Sequence, residues 1–264
     1  MIDTHRAGPN WPFWATIAAV TTAYLTLLIG MLLATTTYSS PHHLVRALGS
    51  KEIQYATVLS LVTCTITALL SLLVAVPVGY LMARSHFTGK NLLDTLLDIP
   101  IVLPPMVIGL CLLILFQTAV GRAIERFIPF TYTVYGVVLA QFIVGAAFAV
   151  RQMRTTFDHL PTRPEDVAMT LGCSRGQAVW LVTLPAAKRG MFSAASVAWA
   201  RSLGEFGPIL VFAGATRMKT EVLPTSVWLE LSVGNLEAAI AVSLTMVVLA
   251  VFVLLAMRAV GERP

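Results

Sequence analysis

Two charged side chains, Arg201 and Glu205, interrupt a stretch of the sequence that is otherwise mostly apolar. Their i, i+4 spacing places both on one face of a helix, where they can form an ion pair. Inside a membrane, such a pair offsets part of the insertion cost of each charge, about 2.5–3.5 kcal/mol. The pair can be a structural one that fixes helix packing, it can act in gating, or it can give electrostatic help to an anion that crosses the membrane.

Glycine and proline surround this pair. Gly204 and Gly207 leave a bare surface that allows a neighbouring helix to approach closely, and Pro208 breaks the hydrogen-bond ladder directly afterwards. In an earlier apolar stretch, three prolines occur within six positions, at Pro100, Pro104 and Pro105. They predict a kinked or unwound helix. This kink either serves packing alone or belongs to a helix that lines a pathway and bends during gating.

Motifs for catalysis are absent from the sequence. It contains no G-x-x-x-x-G-K-[ST] phosphate loop, no H-E-x-x-H and no G-x-S-x-G. His42 and His43 are adjacent and do not share a helix face, so they make only a weak metal site. The three cysteines lie far apart, without the ligand spacing of a zinc site. We therefore expect no catalytic residue, no metal and no cofactor bound by this chain.

Composition indicates a membrane protein. Of 264 residues, 57% are hydrophobic and 12% are charged, with a mean hydropathy of +0.80, whereas about 25% of the residues of a soluble domain are charged. The net charge of +5 could suggest nucleic-acid binding, but no run of Lys and Arg reaches three residues. The basic residues lie between apolar segments. This arrangement excludes nucleic acid as a partner and makes membrane lipid the surroundings of the chain.

Six apolar stretches are long enough to cross a bilayer as helices, because a span needs about 20 residues. The sequence therefore predicts an all-α membrane protein with a single transmembrane domain over residues 1–264. The predicted spans are approximately residues 13–33, 56–82, 97–118, 132–150, 192–212 and 238–257.

The distribution of Lys and Arg predicts the orientation. Eleven lie at the termini and in the alternate loops on one side, six lie on the other side, and Arg201 lies within a span. Because the more basic side of a membrane protein faces the cytoplasm, we predict that both termini are cytoplasmic. The loop of residues 151–190 is then cytoplasmic as well, and we expect it to contact a partner.

This loop predicts two short helices. Pro164 suits the first turn of a helix whose dipole Glu165 and Asp166 complement, and Gly172 ends it. Its apolar face is too short to be stable alone and needs a partner surface; this face consists of Val167, Ala168 and Leu171. Residues 177–184 can form a second helix that packs behind the first, before Pro185 turns the chain back to the membrane.

The spacing in this loop resembles the EAA loop of permease subunits of binding-protein-dependent ABC importers, E-A-A-x3-G-x9-I-x-L-P. The matching positions are Asp166, Val167, Ala168, Gly172, Val182, Leu184 and Pro185. Asp and Val replace the first Glu and Ala of the pattern, and Glu165 is a second candidate for the acidic role. The resemblance implies that the first helix docks in a cleft of a separate ATPase subunit and transmits the closure of that subunit to the membrane helices.

Two further segments resemble molybdate permeases. Residues 100–109 follow the signature P-x-x-x-P-P-x-V-x-G, which ends at Gly109, and residues 201–207 resemble R-A-L-G-E-F-G. Sulfate permeases have a related proline stretch that usually lacks the double proline. Pro208 departs from the alanine that is common in the family, and this could alter the local bend. The resemblance covers about residues 56–257 and adds Pro104, Pro105, Gly109, Arg201, Gly204, Glu205 and Gly207 as candidates for the pathway and its gate.

The resemblance implies a type I ABC importer permease fold with six spans and cytoplasmic coupling helices, in the inner or plasma membrane. It implies a homodimer with a central pathway, two ABC ATPase subunits that hold ATP and Mg, and an extracytoplasmic oxyanion-binding protein. Molybdate, with tungstate as its near-isostere, is the expected substrate, and sulfate or thiosulfate is the alternative. A membrane enzyme built on Arg201 and Glu205 would need a second polar cluster, and a passive anion channel would not need an EAA loop.

Overall fold

The chain folds into helices joined by short turns. In the computed structural model, the described residues are 11–37 and 49–261, and they contain no strand. The His42–His43 pair and both chain ends lie outside these ranges. The elements, in order, are α1 (Trp11–Thr37), α2 (Lys51–Arg84), α3 (Lys90–Val102), α4 (Pro105–Gln117), α5 (Ala119–Glu125), α6 (Val134–His159), α7 (Arg163–Thr170), α8 (Arg175–Ala178), a π-helical turn π1 (Val179–Thr183), α9 (Leu184–Leu203), a second π-helical turn π2 (Ile209–Ala213), α10 (Leu223–Ser232) and α11 (Leu236–Gly261).

Among the described residues, four single helices are long and apolar enough to cross a membrane, namely α1, α2, α6 and α11. They contain the predicted spans at 13–33, 56–82 and 238–257, and all but the first two residues of the span at 132–150, because α6 begins at Val134. The predicted span at 97–118 is not one straight helix, because α3 and α4 meet at an angle of 111° and count as a fifth span only together. The predicted span at 192–212 is also interrupted, since α9 ends at Leu203. The count of six spans stays a prediction.

Helices α2, α6 and α9 form the core, and small residues allow them to pack closely. A buried stripe of such residues runs along α2: Ala56, Ser60, Cys64, Ala68, Ser71, Ala75 and Gly79. A Cβ atom at Gly79 would lie only 2.8 Å from Cβ of Met153 on α6. In lipid, the hydrophobic effect does not drive helices to associate. Close packing through small residues therefore contributes much of the stability of such helix pairs.

The proline-rich segment breaks where the sequence predicts it. Pro100 lies inside α3, but the helix ends only at Val102, and Pro105 then occupies the first turn of α4, where its missing N–H costs no hydrogen bond. Two ion pairs hold α3 against α6. Asp98 lies 2.5 Å from Arg151, and Asp94 pairs with Arg154. The sequence pattern predicts the kink, whereas these pairs bring together residues more than 50 positions apart.

Candidate coupling and gating site

The predicted docking helix is α7, and Gly172 ends it. The backbone of Gly172 has φ +97°, a conformation that side chains with a Cβ atom rarely adopt. The N–H of Gly172 donates to the carbonyl of Met169, and that of Cys173 donates to the carbonyl of Ala168, each at 3.1 Å. These two bonds form a Schellman motif. The predicted end of the helix is confirmed, with a left-handed residue as its physical cause.

One side of this region is an exposed apolar surface. Val167 and Leu171 are 56% and 81% exposed, and from the adjacent π1 turn Trp180 and Leu181 are exposed as well. We call these four residues the docking surface. Ala168 instead faces the protein and is buried, so the predicted apolar face is divided between the interior and the outside. Exposed apolar side chains grouped on a short helix and the turn beside it are typical of protein interaction sites.

The two acidic residues of α7 have different surroundings. Asp166 is exposed, whereas Glu165 is only 6% exposed and points into the protein. The Tyr80 hydroxyl of α2 donates to Oε1 of Glu165 at 2.5 Å, and the Thr183 hydroxyl of π1 donates to Oε2 at 3.0 Å. Glu165 therefore does not present its charge at the docking surface. It connects α7 to two other elements.

The chain returns from α8 to the core without the turn that the sequence predicts at Pro185. Helix α8, π1 and α9 follow one another from Arg175 to Leu203, and Pro185 lies in the first turn of α9. The Leu184 N–H donates to the carbonyl of Val179, five residues earlier, and not to a carbonyl four residues earlier. The regular i→i−4 hydrogen bonds are therefore already interrupted just before Pro185, which has no N–H to donate. The prediction of a separate helix over residues 177–184 that ends at Pro185 is therefore wrong. Val182 and Leu184 are half-buried, and Leu184 packs against the core.

The predicted ion pair lies at the other end of α9. Nη1 of Arg201 lies 2.9 Å from Oε2 of Glu205, and Glu205 is 1% exposed. The Arg201 guanidinium also lies 5.7 Å from the centre of the Phe148 ring, within the range of a cation–π contact. Helix α9 ends between the two charged residues, at Leu203. The pairing is confirmed, and the helix ends five residues before Pro208, where the sequence places its break.

The proline segment and the Arg201 segment meet in the structure. A Cβ atom at Gly109 would lie 2.8 Å from Cα of Pro208, and one at Gly207 would lie 2.9 Å from the backbone nitrogen of Met106. Helix α4 therefore packs directly on the chain between α9 and π2. Gly207 has the predicted close approach. Gly204 does not, because it is exposed and a Cβ atom there would meet only the Arg201 carbonyl, at 3.9 Å.

Pro104 and Pro105 lie at the start of α4, and both are exposed. Their contribution is the break between α3 and α4, which sets the direction in which α4 reaches Gly207 and Pro208. We call five of the seven residues that the sequence predicts for gating the gate cluster, namely Pro105, Gly109, Arg201, Glu205 and Gly207, and their part in gating stays a prediction.

Gln141 is a residue of this region that the sequence reasoning missed. It lies on α6, is buried, and donates through Nε2 to the carbonyl of Ser202 at 3.3 Å. The Thr67 hydroxyl donates to Oε1 of Gln141 at 3.2 Å. The amide thus donates to a carbonyl at the end of α9, where the last carbonyls have no N–H donor within the helix. The sequence does contain a signal for this residue, because Gln141 is a lone amide in the apolar stretch 132–150. Polar side chains within membrane spans are rare and usually functional.

An open cleft of about 550 Å³ lies beside α9. Its lining combines aromatic and aliphatic side chains with Arg189, Ser193, Ser196 and Arg201. Arg201 is partly exposed there, at 31% of its side chain, while its partner Glu205 is enclosed. The Arg201 guanidinium therefore lies partly open to this cleft on one side, while Glu205 contacts it from the other.

A further ion pair joins the loop after π2 to α10. Arg217 lies 2.7 Å from Glu230 of α10, and this hydrogen bond raises the pKa of Arg217 above its usual value. The Asn235 amide donates to the other Glu230 oxygen at 2.9 Å. The arrangement is a structural anchor. Within residues 11–37 and 49–261, no group of three or more His, Cys, Asp or Glu side chains is placed to hold a metal.

Comparison with known proteins agrees with this arrangement. Residues 75–264 match the family model described as binding-protein-dependent transport system inner membrane component. A probable molybdenum ABC transporter permease protein of Haloferax volcanii is 34% identical over 94% of this chain and 89% of its own length. The molybdate/tungstate transport system permease protein WtpB of Pyrococcus abyssi is 39% identical over 58% of each chain. The sulfate transport system permease protein CysW of Synechococcus elongatus is 32% identical over 68% of this chain and 64% of its own length.

A solved structure shares the fold. It is a bacterial alginate ABC transporter in complex with an alginate pentasaccharide-bound periplasmic protein, and one of its chains superposes with a TM-score of 0.74 at 16% identity, over 96% of this chain and 95% of that one. The likeness shows that the helices are arranged as in an ABC importer permease. With the match over residues 75–264, this chain belongs to the family of binding-protein-dependent transport system inner membrane components.

Proposed function

We propose that the chain is the membrane-spanning subunit of an ATP-driven importer that carries molybdate, and tungstate with it, into the cytoplasm. The observation that carries this proposal is the similarity to a probable molybdenum permease over 94% of the chain. That length includes both the docking surface and the gate cluster. The proline stretch and the R-S-L-G-E-F-G segment, which resemble molybdate permeases, are in contact in the structure.

The exposed surfaces of the chain and its similarity to known transporters support three partners in this proposal. A separate ABC ATPase, which binds ATP and Mg, docks on α7 and the docking surface, where Val167 and Leu171 would otherwise remain in water. Two copies of the chain form the pathway, each with its own ATPase subunit, and an extracytoplasmic binding protein delivers the oxyanion. The complex with a periplasmic protein in the similar solved structure supports this last partner.

Helix α9 gives the coupling a direct route. It follows π1 without a break and reaches the Arg201–Glu205 pair after 20 residues, roughly 30 Å at 1.5 Å per residue. Closure of the ATPase subunits displaces the docking surface, α9 carries that displacement along its length, and the gate cluster changes its packing at the far end. The pathway then alternates between two states, which the binding of ATP favours differently.

Sulfate or thiosulfate is the second candidate substrate, and the similarity to a sulfate permease favours it. Tetrahedral dianions place similar demands on a pathway. The Arg201 charge attracts each of them, and Glu205 reduces this attraction, so the pathway binds no anion tightly. Selection among oxyanions then belongs mostly to the binding protein.

The class of protein is tested by purification and transport. The chain, expressed with the ATPase and binding protein encoded for the same transport system, is expected to co-purify with the ATPase. In proteoliposomes it is expected to take up oxyanion only when ATP is supplied. An ATPase variant that binds ATP without hydrolysing it is the control. Uptake that proceeds without ATP would indicate a channel and contradict the proposal, as would a chain that never retains an ATPase.

A further inference from the structure

A buried carboxylate joins the docking helix to the transmembrane core. Glu165 is 6% exposed, and an ionised carboxylate in such a position is costly unless donors compensate it. Two hydroxyl groups do so, from Tyr80 at 2.5 Å and from Thr183 at 3.0 Å. These residues lie 85 and 18 positions away in the sequence, so the carboxylate connects three separate elements: α2, α7 and π1.

The donor on α2 is itself held in place. The Tyr80 ring packs edge-to-face on Phe157 of α6, with ring centres 5.6 Å apart and an interplanar angle of 89°. Phe157 is fully buried. One turn later on α2, Nη2 of Arg84 donates to the carbonyl of Leu160 at 2.8 Å. The hydroxyl that meets Glu165 therefore belongs to a fixed corner where the ends of α2 and α6 come together.

The donor on π1 lies directly before the long helix α9. Thr183 is buried and immediately precedes Leu184, the first residue of α9. A π-helical turn is a local departure from regular helix and often occurs at functional positions. Any displacement of the Glu165 carboxylate that keeps the Thr183 bond must move this turn, and with it the start of α9.

We propose that Glu165, rather than the exposed Asp166, is the positioning residue that transmits displacement of α7 to α2 through Tyr80 and to α9 through Thr183. The inference rests on the proposed function as an ATP-driven importer. Helix α7 has only eight residues and is too short to hold its own orientation, so its contacts with the core decide how far a push on the docking surface reaches. Asp166, exposed on the same helix, contacts neither donor.

The test compares coupling with docking. Tyr80→Phe removes the hydroxyl and keeps the ring on Phe157, and Thr183→Val removes the other hydroxyl at nearly constant volume. Each variant is reconstituted with the ATPase and binding protein, and ATP hydrolysis and oxyanion uptake are measured together. We expect uptake per ATP hydrolysed to fall roughly fivefold or more in each, because a hydrogen bond to a charged group is lost. ATPase co-purification should be unchanged. Thr155→Val on α6 is the matched control and should keep the ratio, because that hydroxyl donates within its own helix, to the Arg151 carbonyl.

A double-mutant cycle adds a readout that a merely structural role would not move. Glu165→Gln keeps an acceptor for Tyr80, and the effects of Glu165→Gln and Tyr80→Phe on the coupling ratio should be clearly non-additive. An unchanged ratio in both Tyr80→Phe and Thr183→Val would overturn the inference, and so would loss of the ATPase from these variants. If the unmodified chain shows no ATP-dependent uptake, the proposed function itself fails and takes the inference with it.

Discussion

Glu205 is a buried carboxylate whose stability depends on one partner, Arg201. Its carboxylate is 1% exposed, and among the described residues only the Arg201 guanidinium, at 2.9 Å, compensates Oε2. A buried charge that loses its partner destabilises a protein by about 3–5 kcal/mol, although replacing both charges can be nearly neutral. The pair is therefore sensitive to single substitutions and tolerant of a matched double one.

Substitution of Arg201 tests this directly. Arg201→Ala should lower the free energy of unfolding by roughly 3 kcal/mol, at the lower end of the range because the guanidinium is partly exposed. The double variant Arg201→Ala with Glu205→Gln should recover part of that loss. Thermal unfolding in detergent and uptake in proteoliposomes are the two measurements. A double variant less stable than either single variant would argue against direct pairing.

Gly109 tests the contact between the proline segment and π2. Because a Cβ atom there would lie 2.8 Å from Cα of Pro208, Gly109→Ala should push α4 away and cost about 1–3 kcal/mol by overpacking. Gly30→Ala on α1 is the control, since nothing lies within 4 Å of its added Cβ. Equal melting temperatures for the two variants would show that α4 does not pack on Pro208 as described.

These residues differ in how far the sequence alone could predict them. Arg201 and Glu205 are four positions apart on one helix, so their contact follows from helical geometry. Glu165 and Tyr80 are separated by 85 positions, and only tertiary packing brings them together. The sequence offered Glu165 only as a second candidate for the acidic role in the EAA loop, whereas the structure shows that its side chain is buried.

At the scale of elements, α7 depends on its last turn. Gly172 has φ +97° and nothing within 4 Å of an added Cβ, so the constraint there is backbone conformation and not space. The EAA spacing was sufficient to predict this turn. The sequence could not show that α8, π1 and α9 are continuous, because a proline after a helix-like stretch usually indicates its end, and here the π-helical turn accommodates Pro185.

Replacement of Gly172 tests the role of the turn. Gly172→Val should strain the left-handed backbone, disturb α7 and reduce both ATPase association and uptake, whereas Gly172→Asn should be better tolerated because Asn adopts this conformation more readily. Gly176→Ala on α8 is the control, with open space and no positive φ. ATPase co-purification at matched expression is the measurement. Full association and uptake in Gly172→Val would refute the assigned role.

The sequence also predicts only part of the arrangement of α3. The three prolines predict a break, but not the angle of 111° or the position of α3 against α6. That position depends on Asp94 and Asp98 meeting Arg151 and Arg154, which a single sequence does not reveal.

For the molecule as a whole, the bias of Lys and Arg predicts the orientation that the proposed function requires. The docking surface must face the cytoplasm to meet an ATPase, and the segment around Arg217 and Lys219 must then face outside.

Cysteine labelling checks this orientation. In a background without Cys64, Cys111 and Cys173, a cysteine at Lys219 should react with a membrane-impermeant thiol reagent added to intact cells. A cysteine at Gly176 should react only after the membrane is opened. Both positions are exposed, so accessibility reports the side of the membrane. The reverse pattern would invert the predicted topology.

The most direct test of the account is uptake of labelled molybdate by the chain reconstituted with its ATPase and binding protein. Tungstate and excess sulfate serve as competitors. A molybdate importer should show ATP-dependent uptake that tungstate blocks and sulfate leaves unchanged. Uptake of sulfate with none of molybdate would keep the architecture but contradict the substrate, and uptake of neither anion would contradict the importer itself.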